Sequence, residues 1–476
     1  MIDRPKTTDQ STMPKKNVAW RLATASLLLL SVTQAAVPAA IAAPALQTNQ
    51  TLYLPSVTRY SDVSYQSPFG ISMFDAVDDP RGLSAMQTAG ADLIFTNFRW
   101  VDLEPTQDAV YDFSSMDAKI AAATAKSMQL VVLFDHSPSW ATIDPNNPRG
   151  PLKSDMYDDM ADAVGALASR YNGMNGFPRV DYWLFFGEPD GIYSWGNAPT
   201  QYADGLASAS QAIKSANSLA KVMPGAVAYE RFGDDEYSPG PFVRSFLPSV
   251  FARLNTKPGG ASAYIDGVAF NDFGLTPQRW PTLRDKATSV RQIMAAAGIG
   301  HLPLVVTELS RSSQGGVAEI SQAQNVIKQY SYGLAAGISQ MHWFMVFDML
   351  NVPPADLAAN AFGLFRGTNL NSAKPAYTAY RVVAEQLDGA RYQRDLGAPG
   401  TQGFVFIDGP EQVFVVWANS ATTNVAFGQG CARTITRMNV ATQISDGGVG
   451  DRDGTVNGQV SVQVASNEPL IVRACQ

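Results

Sequence analysis

The stretch Asp181 to Pro189, "DYWLFFGEP", decides how this chain is read. Tyr182 to Phe186 are apolar on consecutive positions, so the run suits a strand buried on both faces rather than one with a wet side. It then delivers a glutamate, Glu188, and Pro189 stops it. The run Pro303 to Ser310, "PLVVTELS", repeats the arrangement with Glu308 near its end, 120 positions later.

Working outward, similar apolar runs recur from Phe69 to about Leu387. They are "FGISMF", "DLIFTNFRW", "QLVVLFDH", "KVMPGAVAYE", "DGVAFND" and "QMHWFMVFD", giving eight with the two above. Segments of helical period lie between them, among them "SDMYDDMADAVGALASRY" and "SQAQNVIKQYSYGLAAG"; "SSMDAKIAAATAKSM" opens with a capping-box pattern from Ser114 to Asp117. Eight such units in this length predict an α/β fold, a (β/α)8 TIM barrel over 69–387. An open doubly wound sheet is the competing topology. It more often carries a phosphate-binding fingerprint, and neither G-x-G-x-x-G nor G-x-x-x-x-G-K-[ST] is present. No nucleotide cofactor is expected.

Beyond Asp388 the texture changes to short strands and turns: "GFVFID", "QVFVVWAN", "TNVAFG", "RTITRMNV", "GQVSVQVA" and "PLIVRA". Val460, Val462 and Val464 alternate with polar residues, the period of a half-buried antiparallel strand. A C-terminal antiparallel β-sandwich over 388–476 follows, expected to pack on the barrel. Its Cys431 and Cys475 are the chain's only cysteines and are expected to form a disulfide if the protein is exported, two buried thiols being the alternative.

Export is itself an expectation. Lys15, Lys16 and Arg21 precede the apolar stretch "LATASLLLLSVTQAAVPAAIAA", so 1–45 reads as a secretory signal peptide cleaved after about Ala42, with Met13 a shorter start. An uncleaved membrane anchor is the alternative, and no other segment is long and apolar enough to span. Residues 46–68 read as a linker. Of 476 residues 46% are hydrophobic and 16% charged, with a net charge of −7, enough apolar content for a large core and no basic patch for a phosphate backbone. Nucleic acid is excluded as a partner, and three scattered histidines make a metal site unexpected. No G-x-S-x-G marks a serine hydrolase.

In a TIM barrel the C-terminal strand ends face the active-site mouth. Glu188 and Glu308, on strands four and seven, would converge there. Paired carboxyls in an aromatic-walled pocket are the equipment of glycoside hydrolysis, one giving a proton and the other attacking the sugar.

At this point the sequence resembles the clan A retaining glycoside hydrolases, most like glycoside hydrolase family 39, over most of 69–386. "FRWVDLEPTQDAVYDFSSMD", "LVVLFDHSPSWA", "YWLFFGEPDG", "VVTELS" and "HWFMVFD" carry the resemblance. It implies a retaining O-glycosyl hydrolase acting on a poly- or oligosaccharide, with Glu188 as acid/base and Glu308 as nucleophile. The chain departs from the family in two places. Gly187 stands where an asparagine usually precedes the acid/base, and Asn271, Asp272 and Phe273 stand where strand six often carries His-x-Tyr. Those departures leave a second reading open, a non-catalytic carbohydrate-binding barrel at the cell surface.

The further substrate-binding candidates are Arg99, His136, Trp195, Asn271 and Trp343. Arg99 could instead pair with Glu104 or Asp135. Trp343 is read as a platform for a sugar face, or else as core, and Trp195 and Tyr193 as cleft walls or cover. His342, one residue before Trp343, is expected to face the helix layer.

Overall fold

The computed structural model describes residues 66–474 except 75, 238, 314, 350–360, 429–432 and 439. The expected signal segment, nearly all of the linker, and both Cys431 and Cys475 lie outside the described residues.

The eight apolar runs form one parallel sheet: β1 (Phe69–Ser72), β2 (Leu93–Arg99), β3 (Gln129–Asp135), β4 (Tyr182–Phe185), β5 (Lys221–Pro224), β6 (Val268–Asp272), β7 (Leu304–Leu309) and β8 (Ile338–Trp343). Their spatial order is β5-β4-β3-β2-β1-β8-β7-β6, so the sequential neighbours pair and β1 meets β8. The seam between β5 and β6 is closed past the end of β5, where Val227 bridges to Phe270 and accepts a 2.9 Å hydrogen bond from the Asn271 amide. Helices α1 (Leu83–Thr88), α2 (Trp100–Leu103), α3 (Ser114–Ala125), α4 (Tyr157–Arg170), α5 (Pro199–Ala216), α6 (Phe246–Asn255), α7 (Ala261–Tyr264), α8 (Leu283–Ala296), α9 (Gly315–Ala335) and α10 (Pro375–Leu387) cover the sheet's outer face.

Alternation along each strand divides the buried residues into two layers. Phe95, Val131, Leu133, Leu184, Met223 and Val305 fill the barrel interior. Ile94, Val132, Trp183, Val222 and Val306 face the helices. The capping box expected at Ser114 and Asp117 does not form. Phe113 is the N-cap of α3, and Asp117 instead accepts from Arg170 and Tyr171 of the neighbouring helix. The tertiary ion pair outcompetes a local cap. A capping box does open α8, between Thr282 and Asp285.

The C-terminal region holds β9 (Arg391–Asp395), β10 (Thr401–Asp408), β11 (Glu411–Ala418), β12 (Thr423–Gly428), β13 (Arg433–Arg437), β14 (Val440–Ile444), β15 (Gln459–Val464) and β16 (Leu470–Ala474). Six of them make one antiparallel sheet, ordered β14-β13-β16-β11-β10-β9, and β12 pairs with β15. The run "RTITRMNV" is thus the start of a hairpin rather than one strand, turning at Met438, whose φ is +52°. The larger sheet is covered on both faces. Val405, Phe414, Val416 and Val472 meet Val425, Phe427, Val460 and Val462 of the smaller sheet. On the other face Phe404, Phe406, Val415 and Trp417 join the barrel's core, with Tyr332 of α9 packed edge-on against Phe404 and Trp417. Arg473 of β16 ties the same interface, donating to the Gln386 side chain and carbonyl at the end of α10 and to Asp408 and Glu411.

Candidate active site

A cavity of about 630 Å³ opens at the C-terminal ends of the barrel strands. That volume is ordinary for a small-ligand site. Glu188 and Glu308 both line it.

Glu188 follows β4 by three residues, and the chain reaches it through strained backbone. Phe186 (φ +52°) and Glu188 (φ +43°) both occupy the left-handed region, which costs a non-glycine residue about 1–3 kcal/mol. The turn is held from below by Asp190, fully buried, which accepts the Ala228 and Tyr229 amides at 3.0 Å each. Burial pushes the Asp190 carboxyl up to about 7, against the two amide donors, and the nearby Glu188 adds to the rise. Glu188 itself accepts from Asn271 Nδ2 at 3.2 Å and from the Tyr193 hydroxyl at 3.0 Å.

Glu308 enters through a register shift. Val306 pairs with Phe270, but Glu308 rather than Thr307 pairs with Asn271, so one extra residue is accommodated and both Thr307 and Glu308 reach the cavity. The Glu308 carboxyl receives no hydrogen bond among the described residues. Desolvation lifts it well above the usual carboxylate range, the neighbouring Glu188 lifts it further, and Arg149 opposes both. In the empty cavity burial therefore favours the protonated form of Glu308.

Asn271 links the two. It sits in register beside Glu308 and reaches across to Glu188, its amide oriented because Thr307 Oγ1 donates to its Oδ1 at 3.0 Å. Its backbone carbonyl is fixed by Lys286 of α8, whose buried ammonium donates to Asn271 O (2.7 Å), Ala228 O (3.0 Å) and Glu230 Oε1 (2.8 Å). Glu230 in turn accepts the Phe273 and Leu275 amides. Asp272 faces away from the cavity, to Arg311 (3.0 Å) and Lys286 (3.8 Å); the two cations hold its carboxyl low despite burial.

Of the other candidates, Arg99, His136 and Asn271 line the cavity. Arg99 lies 3.6 Å from Asp102 rather than pairing with Glu104 or Asp135, because Glu104 is taken by Trp100 Nε1 and the Asp108 amide. His136 Nδ1 stands 2.7 Å from Asp135. The two tryptophan expectations are corrected. Trp195 is fully buried between Phe186 and Tyr202, and Trp343 is fully buried with Nε1 donating to Phe362 O at 3.1 Å, so neither offers a face to a sugar. His342 is also corrected, since it points inward. Its ring lies 5.8 Å from Phe95, and a Cβ added at Gly70 would stand 2.3 Å from its Nδ1. Burial pushes this imidazole down to about 3, so it is neutral. Phe344, one residue after Trp343, lines the cavity in its place and packs against Phe74 and Phe273.

Sequence reading missed Arg149 as well. It sits in the loop between β3 and α4, where no periodicity fixes direction.

The architecture has counterparts among solved structures. The fold is that of family 39 and family 30 glycoside hydrolases. A family 39 glycoside hydrolase from Bacteroides cellulosilyticus WH2 is 17% identical with a TM-score of 0.64, covering 86% of this chain and 81% of that one. A monomeric β-xylosidase from Caulobacter crescentus CB15 is 15% identical with a TM-score of 0.61, covering 85% and 95%. A GH30 endoxylanase from Clostridium papyrosolvens C71 is 14% identical with a TM-score of 0.57, covering 86% and 96%. No family model matches the chain. No curated protein matches it either.

Proposed function

We propose that the protein is an exported retaining glycoside hydrolase that cleaves O-glycosidic bonds of a poly- or oligosaccharide. The observation that carries this reading is the pair Glu188 and Glu308, two carboxyls in one cavity at the barrel mouth whose charges act on each other. Asn271 spans from the strand beside Glu308 to Glu188, and adjacent strands lie about 4.8 Å apart. The retaining course is carried over from the resemblance to family 39 glycoside hydrolases.

In the proposed cycle the Glu308 carboxylate attacks the anomeric carbon and forms a glycosyl ester, while Glu188 gives its proton to the departing oxygen. Glu188, now a carboxylate, takes a proton from water as that water attacks the anomeric carbon and frees Glu308. Both atoms and charge balance across the two steps. The cycle needs Glu308 ionised and the proton on Glu188 when the sugar is bound. A sugar seated against Tyr193 would draw its hydroxyl from Glu188, and a sugar hydroxyl donated to Glu308 would favour its ionised form. Arg99, His136 and Phe344 are the groups proposed to contact sugar. The signal-like segment supports export, and among the described residues no helix is long and apolar enough to cross a membrane.

The departures at Gly187 and Asn271 favour a second reading, a barrel that grips carbohydrate without cutting it. Screening aryl glycosides and polysaccharides with wild type, Glu188→Gln and Glu308→Gln separates the two. The hydrolase reading expects release of reducing sugar by the wild type alone. Equal release by all three, or binding without release by the wild type, contradicts it.

A further inference from the structure

Gly187 and Arg149 belong together. Arg149 Nη2 donates to Gly187 O at 2.9 Å, immediately before Glu188. A Cβ on residue 187 would stand 3.4 Å from that Nη2 and 3.1 Å from Leu133 Cδ2, so a larger side chain would contend with the guanidinium for its place. The loop carrying Arg149 is braced to the acid strand's turn, because Ser194 Oγ donates to Arg149 O (2.9 Å) and Asn147 Nδ2 donates to Tyr193 O (2.9 Å). Arg149 makes no ion pair among the described residues, and its Nε is buried without an acceptor. A guanidinium fixed by its backbone anchor, with a donor to spare, lines the same cavity as both carboxyls.

We propose that Arg149, admitted by Gly187, is the charge-setting residue of this site: its positive charge offsets part of what burial does to Glu308 and so favours the ionised form that attack needs. This deepens the hydrolase reading and rests on it for the role of Glu308. Arg149 is a positioning residue toward Glu308, acting by charge rather than by bonding to it. The other titratable or charged groups around the cavity are Glu188 beyond β4, Asp135 and His136 at the end of β3, Arg99 at the end of β2 and neutral His342 below on β8. Asp135 faces His136 and Arg99 faces Asp102, which leaves Arg149 as the cation not committed to a carboxylate. Arg149 is also the one positive group that draws Glu308 down against burial and Glu188.

The test reads Glu308 directly, with or without turnover. In full-length Glu188→Gln protein, where Glu308 titrates without its partner, carbon NMR of δ-labelled glutamate follows its midpoint. Assignment comes from the signal lost in Glu188→Gln/Glu308→Gln. Adding Arg149→Gln is expected to raise the midpoint by about one pH unit or more, the usual effect of losing an opposite charge nearby, while Arg149→Lys restores part of the shift. A midpoint unchanged in Arg149→Gln, or lowered, overturns the proposal. In otherwise wild-type protein the acidic limb of kcat/KM is expected to move upward by the same amount in Arg149→Gln. If the NMR shift appears and no glycoside is cleaved by the wild type, the hydrolase reading fails while the charge relation stands. If glycosides are cleaved and the midpoint does not move, only the role of Arg149 fails.

Discussion

Replacing Glu308 by glutamine should make the protein more stable at alkaline pH, because this carboxyl is held where ionisation is unfavourable. Its pKa rises from 4.5 to about 8, chiefly by desolvation and then by the charge of Glu188. A carboxyl raised on folding contributes no penalty below pH 4.5, where it is protonated in both folded and unfolded chains. Between 4.5 and about 8 the unfolded chain ionises and the folded one does not, so stability falls as pH rises through this window. At about 1.4 kcal/mol per unit the full cost is on the order of 5 kcal/mol, an upper limit because part of the rise comes from the charge of Glu188 rather than from burial. Glutamine keeps the shape and cannot ionise. Urea unfolding of wild type and Glu308→Gln at pH 4.5 and pH 8.5 should therefore show near-equal stability at the lower pH and a variant more stable by a few kcal/mol at the higher. A variant no more stable than wild type at pH 8.5 would refute the reasoning about this site's electrostatics.

Other outcomes follow from the same packing. Lys286→Met should lower stability by about 3–5 kcal/mol, since it leaves buried Glu230 without its cation, and should also loosen Asn271; thermal unfolding reads the first effect and activity the second. Adjacent residues on and after β8 should behave oppositely: Trp343→Ala is expected to cost about 3–5 kcal/mol as a core truncation, whereas Phe344→Ala raises KM with a smaller stability loss. Equal effects of the two on KM would contradict the placement of Trp343 in the helix layer. Deleting 388–476 uncovers the barrel surface that Phe404, Phe406 and Trp417 bury and should yield insoluble protein; a soluble, fully active truncation would contradict the shared core.

The fold was legible because burial on both faces leaves a mark in sequence. A parallel strand between two apolar layers must be apolar at consecutive positions, and "VVLF" and "YWLFF" could hardly serve otherwise. The same mark explains why the sandwich strands at 404–406 and 413–417 read as strands although they are not amphipathic. The two glutamates were legible as charge at the end of such runs. Side-chain direction was not. An apolar run carries no phase, so nothing in "QMHWFM" says whether His342 or Trp343 faces the barrel axis; the structure turns His342 inward against the space left by Gly70. Register shifts were also invisible, and one of them brings Glu308 to the cavity beside Thr307. Arg149 escaped because its position depends on a loop braced through Asn147 and Ser194, long-range contacts without a local sequence signal. The hairpin hidden in "RTITRMNV" turns at a methionine with positive φ, a residue that does not announce a turn.

Covalent trapping tests the central claim most directly. Wild-type protein is incubated with activated 2-deoxy-2-fluoro glycosides, which slow breakdown of a glycosyl ester, and the labelled peptide is mapped by mass spectrometry. The account predicts a single sugar ester on Glu308, absent from Glu308→Gln, and still formed in Glu188→Gln, where an activated leaving group needs no proton and loss of the base slows the ester's breakdown. A label on Glu188, or turnover of the parent glycoside with inverted product and no label, would contradict it.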